Sequence, residues 1–169
     1  DASPIPLVLY NVPGRTGVDL LPETVERLSG HPRIIAIKEA VGDEARVEEL
    51  VARCGPDFTI LSGDDPTCLR SMELGGRGVV SVASNVAPAQ MHRMSAAALK
   101  GKMDRALALN DELQNLFEVL ALESNPIPVK LAAYELKLAG PGIRSPLSEL
   151  DEVHRGRLRQ VLQEMGLAQ

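Results

Sequence analysis

Four short apolar runs punctuate the first half of the chain: Leu7 to Val12, Ile34 to Lys38, Phe58 to Leu61 and Gly78 to Val82. Each is continuous rather than alternating and ends in turn residues, which predicts strands covered on both faces. Between them lie segments of helical period. Pro22 suits a first helical position, with a short helix to about Leu28. Asp43 is a candidate N-cap for a helix whose Val47, Leu50, Val51 and Cys54 fall at i, i+3, i+4 and i+7. A third helix is expected from Pro66 to Leu74, stopped by Gly75 and Gly76. From Ala89 onward only helices are predicted, on stripes Leu109, Leu113, Leu116, Phe117, Leu120; Val129, Ala132, Ala133, Leu136; and Val153, Leu158, Val161, Leu162, Met165. "ESNPIP" and "GPGIRSP" break them.

Strand–helix alternation of this kind indicates a parallel α/β sheet. Four such units fit either a small open sheet or half of an eight-fold barrel, and periodicity does not choose between the two. In both, chemistry gathers at the carboxyl ends of the strands. Those ends are Tyr10-Asn11, Lys38-Glu39, Ser62 to Asp65 and Ser81 to Asn85.

Composition narrows the partners. The 169 residues carry a net charge of -5, with two Tyr, two Phe and no Trp. An acidic chain without stacking aromatics is a poor match for nucleic acid or an anionic membrane. No apolar stretch reaches spanning length and no leader pattern opens the chain, so a cytoplasmic protein is expected. Cys54 and Cys68 read as small buried hydrophobes, and the three scattered histidines share no ligand spacing, so no metal site is expected. The chain opens "DASPIPLVLY", without Met and almost directly in a strand, which reads as an entry in mid-domain.

Lys38 ends an apolar strand. It reads either as a solvated tip paired with Glu39 or as an amine that burial keeps neutral for attack on a ketone. Tyr10 ends the preceding strand and reads either as a core aromatic with its hydroxyl at the rim or as a proton shuttle beside the amine. Arg15 sits in "NVPGRTG", a tight loop set by Pro13 and Gly14. It is a surface arginine or a two-pronged grip on a carboxylate. "GGRGVVSV" precedes its strand, so it is not a dinucleotide fingerprint. Asp64 and Asp65 read as a helix cap or a carboxylate pair, and backbone N–H groups near Val80 could add a carboxylate-binding surface.

Five stretches together, "YNVPGRTG", "IIAIKEA", "ILSGDD", "GGRGVVSVASNV" and "NPIPVKLA", resemble the dihydrodipicolinate synthase family of pyruvate-dependent class I aldolases, related to N-acetylneuraminate lyase. The resemblance runs from about Pro6 to the end of the chain. It implies a (β/α)8 TIM barrel of which this chain is the C-terminal half, strands five to eight, over 1–88, with the closing helix and a C-terminal helical region over 89–169. It implies condensation of pyruvate with aspartate semialdehyde in lysine and diaminopimelate biosynthesis. Lys38 would then form the Schiff base, Tyr10 relay protons and Arg15 bind the semialdehyde's carboxylate. The backbone of Val80 would touch pyruvate. No cofactor is implied, and a homotetramer is.

The family's first half, with a pair of threonines and a second tyrosine, is not matched. The chain is therefore expected to be part of a longer polypeptide, or completed by a partner or a second copy. The rival readings are a related pyruvate aldolase with another acceptor and a non-catalytic half-barrel.

Overall fold

The computed structural model describes residues 3–168. Two compact units divide it, Asp1–Ser81 with Ser95–Met103, and Val82–Met94 with Asp104–Gln169.

In the first unit β1 (Leu7–Asn11), β2 (Ile34–Glu39) and β3 (Thr59–Ser62) form a parallel sheet in that order. The register sets Leu9 beside Ile37 and Ile37 beside Ile60; Tyr10 beside Lys38 and Lys38 beside Leu61; Asn11 beside Glu39 and Glu39 beside Ser62. Residues paired across a parallel ladder share a face, and neighbours along a strand alternate. One face therefore carries Leu9, Ile37 and Ile60, the other Tyr10, Lys38 and Leu61. The first face is packed. Val25 of α2 (Pro22–Ser29) and Leu50 of α3 (Glu44–Cys54) join Ile37, Phe58 and Ile60 in one buried cluster, with Leu9 and Leu20 against it. The Asp43 carboxylate accepts from the Ala45 N–H at 2.9 Å, the expected cap of α3.

Two expectations fail here. Strands this apolar were expected to be covered on both faces, yet within the first unit Val8 and Tyr10 are about half exposed, at 51% and 49%. The second face is open. The expected strand Gly78–Val82 is reduced to a single parallel bridge, Ser62 to Val79. Ser62 N–H donates to the Gly78 carbonyl at 2.9 Å and Val80 N–H to the Ser62 carbonyl at 2.8 Å. β3 ends at Ser62, so the run has one neighbouring residue to pair with before the chain turns into a 3-10 turn at Ala83–Asn85. A short α4 (Cys68–Glu73) covers β3.

α5 (Pro88–Leu99) crosses the division between units, and α6 (Met103–Asp111) follows. In the second unit α7 (Gln114–Leu120) and α8 (Ile127–Glu135) pack on each other and on α9 (Glu152–Glu164). Leu116, Phe117, Leu120, Val129, Ala132, Leu158, Val161 and Leu162 are buried, as the stripes predict. Val153 departs from its stripe. It lies in the first turn of α9 and is exposed, and there its N–H is capped by the Asp151 carboxylate at 3.1 Å. Among the described residues no helix is long and apolar enough to cross a membrane.

Candidate active site

Tyr10 and Lys38 end neighbouring parallel strands in direct register, so both side chains leave the open face at the carboxyl edge of the sheet. The Lys38 Nζ lies over the Tyr10 ring, 4.1 Å from its centre. That contact draws on the negative face of the ring and on the length of the lysine stem. The amine sits over the ring rather than at its hydroxyl. Lys38 is half-buried, and the dry apolar pocket expected around it is not present within this unit, because Tyr10 beside it and Val80 on the same face stand open. Gly63 lies against the lysine stem. A Cβ placed there would come within 2.9 Å of Lys38 Cε and 2.8 Å of Ala40 Cβ.

Arg15 stands on α1 (Pro13–Thr16), a four-residue helical turn directly after β1. Its N–H donates to the Val12 carbonyl at 2.8 Å, and Gly17 closes the turn at φ 68°, a conformation that favours glycine. The loop expected there is thus a capped helical turn that carries the arginine side chain outward. Val80 follows the bridged Val79, so it falls on the open face with Leu61 and Lys38, and is 45% exposed. Its own N–H donates to the Ser62 carbonyl at 2.8 Å. Asp64 caps rather than pairs. Its Oδ2 accepts from the Thr67 hydroxyl at 2.6 Å and the Thr67 N–H at 3.2 Å, closing the turn into α4.

Glu39 is not the partner of Lys38. Successive strand residues face opposite ways, and Glu39 points into the covered side, 3% exposed. There the Asn11 Nδ2, itself in a residue only 2% exposed, donates to both carboxylate oxygens at 3.1 and 2.9 Å. The Val41 N–H donates to Oε1 at 2.8 Å. Burial pushes the Glu39 carboxyl above its usual range, against the Asn11 and Val41 hydrogen bonds that pull it down. Asp19 goes the other way, held low chiefly by its hydrogen bond with Arg46 and then by that with Asn11. No sequence signal gives the Asn11–Glu39 pair, since only the register brings the two together.

The pH dependence of stability follows in sign. A carboxyl whose folded pKa is raised contributes stability that is full below its unfolded pKa and lost as pH rises through the folded value. Glu39→Gln removes that loss and keeps most of the hydrogen-bond pattern. Its stability relative to the native protein is therefore expected to climb as pH rises from about 4.3 toward neutrality. Urea midpoints measured across that range check it, and a constant difference would show that Glu39 is ordinary in the fold.

Fold and site together describe an α/β protein in which the candidate side chains Tyr10 and Lys38 meet at the carboxyl edge of a parallel sheet, the edge where α/β enzymes carry out their chemistry. The chain belongs to the dihydrodipicolinate synthetase family, whose model matches residues 1–165. It is 50% identical over 167 residues to the 4-hydroxy-tetrahydrodipicolinate synthase of Halorhodospira halophila, covering 99% of this chain and 56% of that protein. The synthase of the same description from Alcanivorax borkumensis is 52% identical over 163 residues, 96% of this chain and 55% of its own length. Among solved structures, the chloride-inhibited dihydrodipicolinate synthase from Acinetobacter baumannii, complexed with pyruvate, superposes with TM-score 0.95 at 44% identity, covering 98% of this chain and 57% of that one. The chain thus spans a little over half the length of these relatives.

Proposed function

We propose that this chain carries the imine-forming part of a dihydrodipicolinate synthase. The single observation behind the reading is the Lys38 amine stacked on the Tyr10 ring at the carboxyl edge of the sheet. The neutral amine attacks the carbonyl carbon of pyruvate; a C–N bond forms and the carbonyl oxygen takes a proton. The Tyr10 hydroxyl passes protons as the carbinolamine loses water and the imine gives up a methyl proton to become an enamine. The enamine carbon attacks the aldehyde carbon of aspartate semialdehyde, whose oxygen takes a proton. The acceptor's own amine then displaces Lys38 and closes the ring. Arg15 grips the acceptor's carboxylate, and Val80 meets pyruvate through its carbonyl and side chain.

The pyruvate-bound relative of high structural similarity supports the donor. In this reading β1, β2, β3 and the singly bridged Gly78–Val82 run stand for the fifth to eighth strands of a (β/α)8 barrel over 1–88, and 89–169 supplies the closing helix and a helical region. The rest of the barrel covers the open face and dries the amine. A cytoplasmic homotetramer, without cofactor, completes the proposal. The exposure of Tyr10 favours a second reading, a non-catalytic half-barrel.

Incubation with pyruvate, borohydride reduction and digestion separate the two. A pyruvyl adduct on Lys38 is expected, and folded protein left unmodified favours the inert module. For the acceptor, Arg15→Ala is expected to lower kcat/KM for aspartate semialdehyde by about 10- to 100-fold, the worth of a charge-assisted hydrogen-bond pair. An unchanged preference over aldehydes without that carboxylate points to another acceptor.

A further inference from the structure

We propose that Asn11, clamped to the Glu39 carboxylate, is the positioning residue that holds Tyr10 and Lys38 together and seats the loop carrying Arg15. The inference rests on the reading of Lys38 as the imine-forming amine. Asn11 directly follows Tyr10 and Glu39 directly follows Lys38, each turned to the covered face behind the reactive pair. An apolar pair would fill that space without taking a carboxylate out of water, so the clamp is not there for packing. Its bonds tie three pieces of chain. Asn11 Nδ2 reaches both Glu39 oxygens at the end of β2 and the Asp19 Oδ1 at 2.8 Å. Asn11 Oδ1 accepts from the Leu20 N–H at 2.9 Å. The segment with Arg15 thus leaves from Asn11 and is fastened at Asp19 and Leu20 to the same side chain. Arg46 of α3 secures the far side through Asp19 Oδ2 at 2.5 Å and the Leu20 carbonyl at 3.2 Å. The backbone repeats the tie, with the Ala40 N–H donating to the Asn11 carbonyl at 3.0 Å. Small displacements of a nucleophile are costly in rate, so a rigid support behind the pair has a kinetic consequence.

Asn11→Asp keeps the shape but replaces the donor with an acceptor. The charged groups around it are Glu39, Asp19 and Arg46, with Asp43, Glu44 and Arg70 lining the cavity behind Glu39. The initial rate of borohydride-trapped adduct on Lys38 is read at saturating pyruvate, together with its half-saturation concentration. In Asn11→Asp near pH 8 the saturating rate is expected to fall about tenfold or more with half-saturation changed by less than about threefold. The deficit against the native protein narrows as pH falls, because a protonated carboxyl donates to Glu39 again. Adding Glu39→Gln reverses the polarity of the bond to position 39, with the new amide donating to the new carboxylate, and recovers part of the lost rate, because the contact with Asp19 Oδ1 stays unmade. Circular dichroism establishes that each protein is folded. Should Asn11→Asp not fold, Glu39→Leu is read in its place with the same expected loss.

A native rate in either folded single variant overturns the clamp. So does a double variant that melts like the native protein yet is no faster than Asn11→Asp alone. If the native protein itself traps no pyruvate, the imine reading fails and the clamp's kinetic role falls with it. A native adduct with unaffected variants removes the clamp alone.

Discussion

Lys38→Ala is expected to abolish the trapped pyruvyl adduct while leaving the protein folded and its stability within about 1 kcal/mol of native. The stability change is small because the side chain is half-buried. Its ring contact with Tyr10 contributes about 0.5–1 kcal/mol at a site this open, partly offset by the rotamer freedom regained on truncation. The chemical change is complete because Lys38 is the one amine carried by β1, β2 and β3. Lys38→Arg is expected to be equally inactive, since a guanidinium stays protonated in proteins and has no lone pair to offer a carbonyl. Intact mass after borohydride reduction reads the chemistry, and a thermal melt reads the fold. An adduct that persists in Lys38→Ala, mapped by digestion to Lys100, Lys102, Lys130 or Lys137, would show that the nucleophile lies elsewhere.

What could be read from the chain beforehand follows from how local each feature is. The three formed strands and α3 are written in short windows: apolar runs ending on turn residues, and Asp43 capping a helix of period 3.6. Lys38 and Tyr10 stood out because a charged or phenolic group closing an apolar run is visible without knowing the fold. The four-residue helix that bears Arg15 had its signals, Pro13 at the start and Gly17 at the stop, but is shorter than any periodicity can register. Glu39 shows the limit of sequence adjacency. It follows Lys38 in the chain, yet pleating sends it to the opposite face, where its partner is Asn11, 28 residues earlier. The curtailed fourth strand is likewise a tertiary fact, fixed by where β3 stops. The open face, finally, depends on what lies across it, and the relatives are nearly twice as long as this chain.

Gly63→Ala tests the site from beside the lysine rather than at its nitrogen, and is expected to impair both chemistry and fold. Gly63 needs no special backbone angle; the constraint comes from its neighbours. An added Cβ would sit 2.8 Å from Ala40 Cβ, 2.9 Å from Lys38 Cε and 3.1 Å from Lys38 Cγ, where carbon contacts are comfortable near 3.5–4.0 Å. The lysine stem can swing away, but Ala40 Cβ is fixed to its backbone, so the exits of β2 and β3 must part. Their separation strains the 2.7 Å hydrogen bond from the Gly63 N–H to the Glu39 carbonyl. Overpacking of this kind costs about 1–3 kcal/mol, which lowers the melting temperature by several degrees. Pushed off the Tyr10 ring, the amine is expected to trap pyruvate about tenfold or more slowly. Ala40→Gly in the same protein separates the two effects. It removes the rigid clash and restores most of the melting temperature, whereas the collision with the lysine stem remains and the adduct stays slow. A rate that recovers in step with the melting temperature would mean that Gly63 serves the strands and has no part in aiming Lys38.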